Sequence, residues 1–300
     1  MKNILIAGGS GLIGNSLVRE FKAQGHKISL LSFSGGNVAD MDSFAWDPAK
    51  RIIPIEVLHK AQYIINLSGA GIADRLWTQK RKKLILNSRT GSTRLLVDTL
   101  LKQNIKPELF INASAIGYYG DRPGISLHED SSPGKGLLSE VCREWEKPLN
   151  RLNDAGIPCA VLRTGIVLSN QGGSFPRLIM PLRYGLNILP AGGRKSFPWI
   201  HIDDVAGVIL ALLDGSLKPM VYNLVAPEST TLREFNKVAL NIMKKRAVAI
   251  SLPPWVMKLL LGELSALFLD EMKVEPFRLK NQGFPFKFPD AASAIKSLLP

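Results

Sequence analysis

Hydrophobic positions in the first half of the chain switch repeatedly between a short continuous run and a helical spacing. Residues 2–7 form an apolar run carrying Ile4 and Ile6, and it ends at Gly8-Gly9-Ser10-Gly11-Leu12-Ile13-Gly14, so a buried strand opening into a glycine turn is predicted. Leu12, Ile13, Leu17, Val18 and Phe21 then recur at helical spacing, which predicts a helix over 12–24 closed by Gly25. A second strand over 27–32 completes a βαβ unit. The alternation continues with a strand over 61–67, a helix over 78–102, a strand over 108–113, a helix over 135–155 and a strand over 158–164. Such alternation predicts an α/β fold built on a doubly wound parallel sheet.

After residue 165 the texture changes, with Gly172, Gly173, Pro176, Pro181, Pro190, Gly192 and Gly193 punctuating the chain. Helical spacing returns over 205–213, 232–244 and 291–299. The organisation expected is a nucleotide-binding domain over 1–165, to which 196–225 returns, and a smaller, mostly helical substrate lobe over 166–195 and 226–300. Residues 255–269 are apolar, but Lys258 and Glu263 interrupt them, so a core-packing helix pair is expected there rather than a membrane contact. Trp199 to Asp204 predicts a strand leading into a helix capped by Asp203 or Asp204.

Composition narrows the functional classes. No apolar run reaches the ~18 residues of a membrane span, and the first strand runs straight into glycines instead of a cleavage site, so a cytoplasmic location is expected. Cys142 and Cys159 are too few for a disulfide framework and lack metal-ligand spacing; both read as small buried residues, and no metal is expected. A net charge of +13 suits a phosphate-bearing ligand or nucleic acid. No nucleic-acid module accompanies it, and the cluster Lys80, Arg81, Lys82, Lys83 reads as a solvated helix face, so no nucleic-acid partner is expected.

The glycine pattern carries the chemistry. Gly8, Gly11 and Gly14 follow a strand and open a helix, where a tight turn, close backbone approach and helix–strand packing each require a missing side chain, and the helix N-terminus receives a pyrophosphate. An acid at the end of the second strand would bind the ribose hydroxyl of NAD and repel the extra phosphate of NADP. Here stand Ser32, Phe33 and Ser34, with no acid before Asp40, which favours NADP(H) over NAD(H) while leaving NAD(H) open. Phe33 fits either stacking on adenine or an ordinary core position.

Beyond the glycine motif the chain carries Trp46-Asp47-Pro48, Asn66-Leu67-Ser68-Gly69-Ala70, Trp77, Ser88-Arg89, and Ala113-Ser114-Ala115-Ile116-Gly117-Tyr118-Tyr119-Gly120. It also carries Cys142-Arg143-Glu144-Trp145-Glu146, Arg163-Thr164-Gly165, Trp199-Ile200-His201-Ile202-Asp203-Asp204, and a closing block from Pro253 to Phe288. With these motifs, over nearly its whole length, it resembles the extended short-chain dehydrogenase/reductase superfamily, and within that the atypical epimerase-family branch with its own C-terminal domain. The resemblance implies an NADP(H)-binding Rossmann domain in which Gly8, Gly9, Ser10, Gly11, Leu12, Ile13 and Gly14 hold the cofactor. It places Ser32 and Phe33 at the adenosine end, Leu67, Ser68, Gly69 and Ala113 along the cofactor, Arg89 near it and Val167 on the nicotinamide side. One position departs from the pattern, since relatives commonly carry arginine where this chain has Phe33.

In active members a tyrosine, its pKa lowered by a lysine four residues on, exchanges the substrate proton while hydride moves to or from nicotinamide. Anchored on Trp145-Glu146, the resemblance puts Leu138 at the tyrosine position and Cys142 at the lysine position, and neither does that chemistry. The serine position falls on Ala115 or Ser114. Ser114 and Tyr119 are therefore the candidate catalytic residues, with a packing role for Tyr119 standing beside the catalytic one. His201 reads as structural, and Arg194 and Lys195 as solvated or as a grip for an anionic substrate. Two functions are expected: an oxidoreductase or epimerase-like enzyme acting on a carbonyl or sugar-nucleotide-like small molecule, or a cofactor-binding sensor or partner-binding protein without turnover. A monomer or a homodimer fits either.

Overall fold

The computed structural model describes residues 1–33, 36–38 and 41–299. Ser34 and Asp40 lie outside the described residues. The first half contains β1 (Asn3–Ala7), α1 (Leu12–Ala23), β2 (Lys27–Ser32), β3 (Gly36–Val38), β4 (Met41–Ala45), α2 (Ile55–Lys60), β5 (Tyr63–Asn66), α3 (Gln79–Lys102), β6 (Leu109–Ala115), β7 (Ser126–Leu127), α4 (Leu137–Glu146) and α5 (Asn150–Asp154). There follow β8 (Cys159–Thr164), β9 (Ile166–Leu168), α6 (Ser174–Arg183), β10 (Leu186–Pro190), β11 (Trp199–His201), α7 (Ile202–Leu213), β12 (Val221–Leu224), α8 (Leu232–Ile242), β13 (Val248–Leu252), α9 (Pro254–Leu261), α10 (Ala266–Leu269), β14 (Lys273–Val274), α11 (Phe277–Asn281) and α12 (Ala291–Leu298).

The central sheet has the order β12-β8-β6-β5-β1-β2-β4-β3. Its pairs are parallel except the short β3–β4 edge. Period-two alternation distributes the strands between two cores. Ile4 and Ile6 of β1, Ile65 of β5, Ile111 of β6 and Leu162 of β8 face α1 and α7 through Leu17, Phe21, Val208 and Ile209. Leu5, Ile64, Phe110 and Val161 face the opposite way, onto α2, α3 and α5 through Leu58, Leu96, Leu100 and Leu152. Because the chain winds outward from β1 to β2 and β4, then returns to β5, β6, β8 and β12 on the other side, the strand order reverses between β1 and β5. In an open α/β sheet the ligand crevice opens at that reversal, beyond the carboxyl ends of the strands.

A third core, of Phe175, Ile179, Leu182, Trp199, Phe235, Ile295 and Leu298, joins α6, α8 and α12, so the terminal helix packs back on this lobe as expected. The lobe is not wholly helical, since β10 and β13 pair in parallel. Two expectations change. Residues 135–155 form α4 and α5 separated by a single-turn helix at Lys147–Leu149, where Pro148 has no N–H to continue the α-helical ladder. Residues 254–269 do not bury as a helix pair: Met257, Leu264 and Leu269 are covered, but Trp255 is 68% exposed and Leu259 77%. The eight-residue α9 and four-residue α10 are too short to present more than a narrow buried stripe. Among the described residues no helix is long and apolar enough to cross a membrane.

Candidate functional site

The β1–α1 turn is built by contacts that exclude side chains. Gly8 has φ +85°, and a Cβ there would lie 2.9 Å from the carbonyl of Leu67, the first residue after β5. A Cβ on Gly14 would lie 2.5 Å from the Gly8 oxygen and 2.6 Å from the Gly9 Cα, so α1 rests directly on the turn. Gly11 meets only the Gly8 oxygen, at 3.4 Å, which leaves its outer side open. Gly11 is also the N-cap of α1, with no side chain bonded to the cap and no acidic residue in the first turn. Amide donors and the positive end of the helix dipole are therefore presented without an internal anion, as a phosphate site requires. Leu12 and Ile13, half-buried beside this opening, are approached from the second lobe: a Cβ on Gly173, at the start of α6, would lie 2.9 Å from Leu12 Cδ2.

On the β2 side, the hydroxyls of Ser32 and Ser43 are 2.7 Å apart. Phe33 is 77% exposed, which overturns the core position considered for it. On this edge Asp42 is registered with Ser29, three residues back along β2 from Ser32, and Asp47 follows Trp46, whose amide donates to the Ser32 carbonyl.

On the β5–β6 side, a buried amide network fixes the strand ends. Asn66 Nδ2 donates to Thr93 Oγ1 at 2.9 Å and to Asn112 Oδ1 at 2.8 Å, and Asn66 Oδ1 accepts from the Ser68 amide at 3.2 Å. Asn112 in turn donates to the Ala113 carbonyl. The Ser68 hydroxyl is buried without a hydrogen-bond partner. An orphaned hydroxyl costs free energy unless something supplies its partner, so its place beside the glycine turn fits a polar ligand along this wall. Arg89 closes the wall: a Cβ on Gly69 would lie 3.1 Å from its Cζ, and its Nη1 donates to the carbonyls of Ala70 (2.9 Å) and Ile85 (3.1 Å). Val167, on β9, is half-buried.

Ser114 and Tyr119 are tied into one polar network. Ser114 Oγ donates to Glu146 Oε1 at 2.6 Å, and Glu146 also receives Arg163 through Nε (3.0 Å) and Nη2 (2.9 Å). Arg163 Nη1 donates to the Tyr119 hydroxyl at 3.0 Å and to the Glu129 carbonyl at 3.1 Å, and Tyr119 donates to Asn223 Oδ1 at 2.7 Å. Tyr119 is fully buried, and burial pushes its phenol up to about 12 against the pull of Arg163. Its proton points into β12 rather than toward the crevice, so the packing role is the one this geometry supports. Glu146, Arg163, Glu129 and Asn223 were not singled out by sequence reasoning as functional, although the first two stand in the quoted motifs Trp145-Glu146 and Arg163-Thr164-Gly165.

The positions that would carry a tyrosine–lysine relay are apolar. Leu138 packs with Trp77, Ile85, Val141 and Leu264, bringing the C-terminal segment over this place. Cys142 is buried with its thiol 3.5 Å from the Ala115 carbonyl, and burial pushes it up to about 12. His201 Nδ1 accepts from the Asp203 amide at 3.1 Å, so His201, not Asp203 or Asp204, caps α7. Its Nε2 lies 3.1 Å from Ser297 Oγ, its ring stacks on Phe288, and burial lowers it to about 4. Lys195 donates to the Leu269 carbonyl, and Arg194 is exposed.

Comparison with known proteins bears on the family and the fold. Residues 4–224 match the model of the NAD dependent epimerase/dehydratase family, and 252–298 match a domain of unknown function, DUF1731. The epimerase family protein SDR39U1 of Mus musculus is 30% identical over 301 residues, covering 99% of each chain. The epimerase family protein SA0724 of Staphylococcus aureus is also 30% identical, over 100% of this chain and 99% of its own. Among solved structures, human SDR39U1 (isoform 2) crystallised with NADPH superposes with a TM-score of 0.87 at 30% identity, covering 99% of this chain and 98% of that one. A UDP-glucuronic acid 4-epimerase from Bacillus cereus has a TM-score of 0.79 at 16% identity, covering 99% and 97%, and so shares the fold. A full-length relationship at this level, joined to the glycine turn and the reversed strand order, makes the chain a member of the NAD dependent epimerase/dehydratase family.

Proposed function

We propose that this protein binds NADP(H) across the carboxyl edge of its sheet and acts as an oxidoreductase or epimerase-like enzyme on a small carbonyl or sugar-nucleotide-like molecule. The observation that carries the reading is the β1–α1 turn, where Gly8 and Gly14 pack too closely for side chains, Gly11 is open on its outer side, and α1 presents an uncapped N-terminus with no acid in its first turn. Backbone of residues 8–14 would hold the pyrophosphate, Ser32 and Phe33 would border the adenosine, and Leu67, Ser68, Gly69, Arg89, Ala113 and Val167 would line the remainder. The human relative crystallised with NADPH supports NADP(H) over NAD(H), as does the want of an acid at the end of β2 among the described residues. When bound, the nicotinamide gives or takes hydride. This chain supplies no tyrosine–lysine pair; the hydroxyl nearest that task is Ser114, whose proton is given to Glu146 and whose oxygen remains an acceptor. The test is NADPH oxidation across a panel of carbonyl compounds and nucleotide sugars: turnover with one of them is expected, and none above background across the panel contradicts an enzymatic role.

A second reading, a cofactor-holding sensor without turnover, is favoured by one observation. Leu138 is buried in an apolar cluster and Cys142 under a raised pKa, so both relay positions are closed to proton transfer near neutral pH. It predicts tight NADPH binding without turnover, and a partner whose affinity changes between NADP⁺ and NADPH.

A further inference from the structure

One cation of this wall has no opposite charge. Buried Arg163 is neutralised by two bonds to Glu146, whereas Arg89 lies within ion-pair distance of no carboxylate among the described residues. Its contacts are two backbone carbonyls, those of Ala70 and Ile85, and the ring of Trp145, whose centroid is 5.1 Å from the guanidinium carbon. Carbonyl dipoles and a ring face solvate a guanidinium without cancelling its charge. Trp145 lies one turn along α4 from Cys142, so Arg89 stands beside the α4 position where the superfamily's lysine is replaced. Burial pulls its pKa down, yet an arginine remains protonated.

Position within the crevice gives this charge a meaning. Ser32 ends β2 and Phe33 follows it, to one side of the glycine turn, while Arg89 lies with Gly69, Ala70 and Trp145 on the β5–β6 side, toward Cys142 of α4. A dinucleotide spanning the reversal between β1 and β5, with its adenosine over β2, puts its nicotinamide half on the β5–β6 side. We propose that Arg89 supplies the fixed positive charge at the nicotinamide end that Cys142 does not, and that this charge makes the site select the reduced cofactor. The nicotinamide ring carries a positive charge in NADP⁺ and none in NADPH, so an uncompensated guanidinium repels only the oxidised form. At an effective dielectric near 20, two like charges about 10 Å apart interact by enough to change affinity roughly tenfold. The inference rests on the NADP(H) reading and adds to it a redox preference set by one residue.

Calorimetric affinities for NADPH and NADP⁺, measured on the wild-type chain and on Arg89→Lys and Arg89→Met, test this. The wild type is expected to favour NADPH by roughly tenfold, Arg89→Lys to keep that ratio, and Arg89→Met to bring it toward unity. A wild-type ratio below about threefold overturns the proposal, and this result does not depend on how the variants fold. So does a ratio unchanged in folded Arg89→Met, or an equal loss of affinity for both forms, which would make Arg89 a phosphate or ribose contact. Failure of the wild type to bind either form would remove the NADP(H) reading itself.

Discussion

Tyr119 shows how residue-scale geometry separates chemistry from packing. A phenol that donates to Asn223 and accepts from Arg163 inside the core holds the sheet's edge together instead of addressing a substrate. Tyr119→Phe should therefore cost ~1–3 kcal/mol in urea unfolding, because two buried partners lose a bond, while NADPH affinity stays unchanged in calorimetry. Arg163→Met should be more severe, ~3 kcal/mol, since it leaves the half-buried Glu146 without its cation. This network was only partly legible in the sequence. Ser114 and Glu146 are 32 residues apart and Tyr119 and Asn223 are 104 apart, and a pairing at such separation has no local signature. The glycines were legible, because the penalty for a side chain at Gly8 or Gly14 comes from backbone within a turn or a neighbouring strand.

At the scale of elements, periodicity revealed the strands that bury on both faces, such as Ile4-Leu5-Ile6 and Ala160-Val161-Leu162, and the helices packed on them. It did not reveal β10, whose alternate residues Leu186 and Ile188 are exposed, or β13, whose residues 248–251 are all exposed, nor the cap of α7. Histidine caps only when its ring is neutral and aimed at the next amides, a matter of packing against Phe288 and Ser297. Since burial lowers His201 to about 4, below the ordinary 6.5, the unfolded chain binds the extra proton between those values. Stability from this group is complete above about pH 6.5 and is lost as pH falls toward 4, with a slope of at most ~1.4 kcal/mol per pH unit. His201→Asn should flatten that part of the urea-midpoint profile while keeping a capping side chain. Asp203, Asp204 and Lys287 face the same helix end in both proteins, so the difference between the two profiles isolates the histidine. An equal slope in both would refute the assignment.

Across the whole molecule, the C-terminal segment is fastened to the sheet domain by several threads. Glu129 accepts the amides of Asn223 and Arg278, β14 pairs with β7, and Leu264 covers Leu138. The outer side of α9 takes no part: Trp255→Ser should change stability by no more than ~0.5 kcal/mol, whereas Phe235→Ala, in the core of the second lobe, should cost ~3–5 kcal/mol. Similar losses for both would restore the core-packing helix expected from the sequence. The enclosure these threads make matters only if the crevice beneath it receives a dinucleotide. Isothermal calorimetry of the intact wild-type chain with NADPH and NADP⁺, beside Gly14→Ala, measures this most directly. Saturable uptake of one NADPH per chain, weakened at least about tenfold in Gly14→Ala because its methyl meets the Gly8 oxygen and Gly9 Cα, is the predicted result. Folded wild-type protein that takes up neither form would contradict the account.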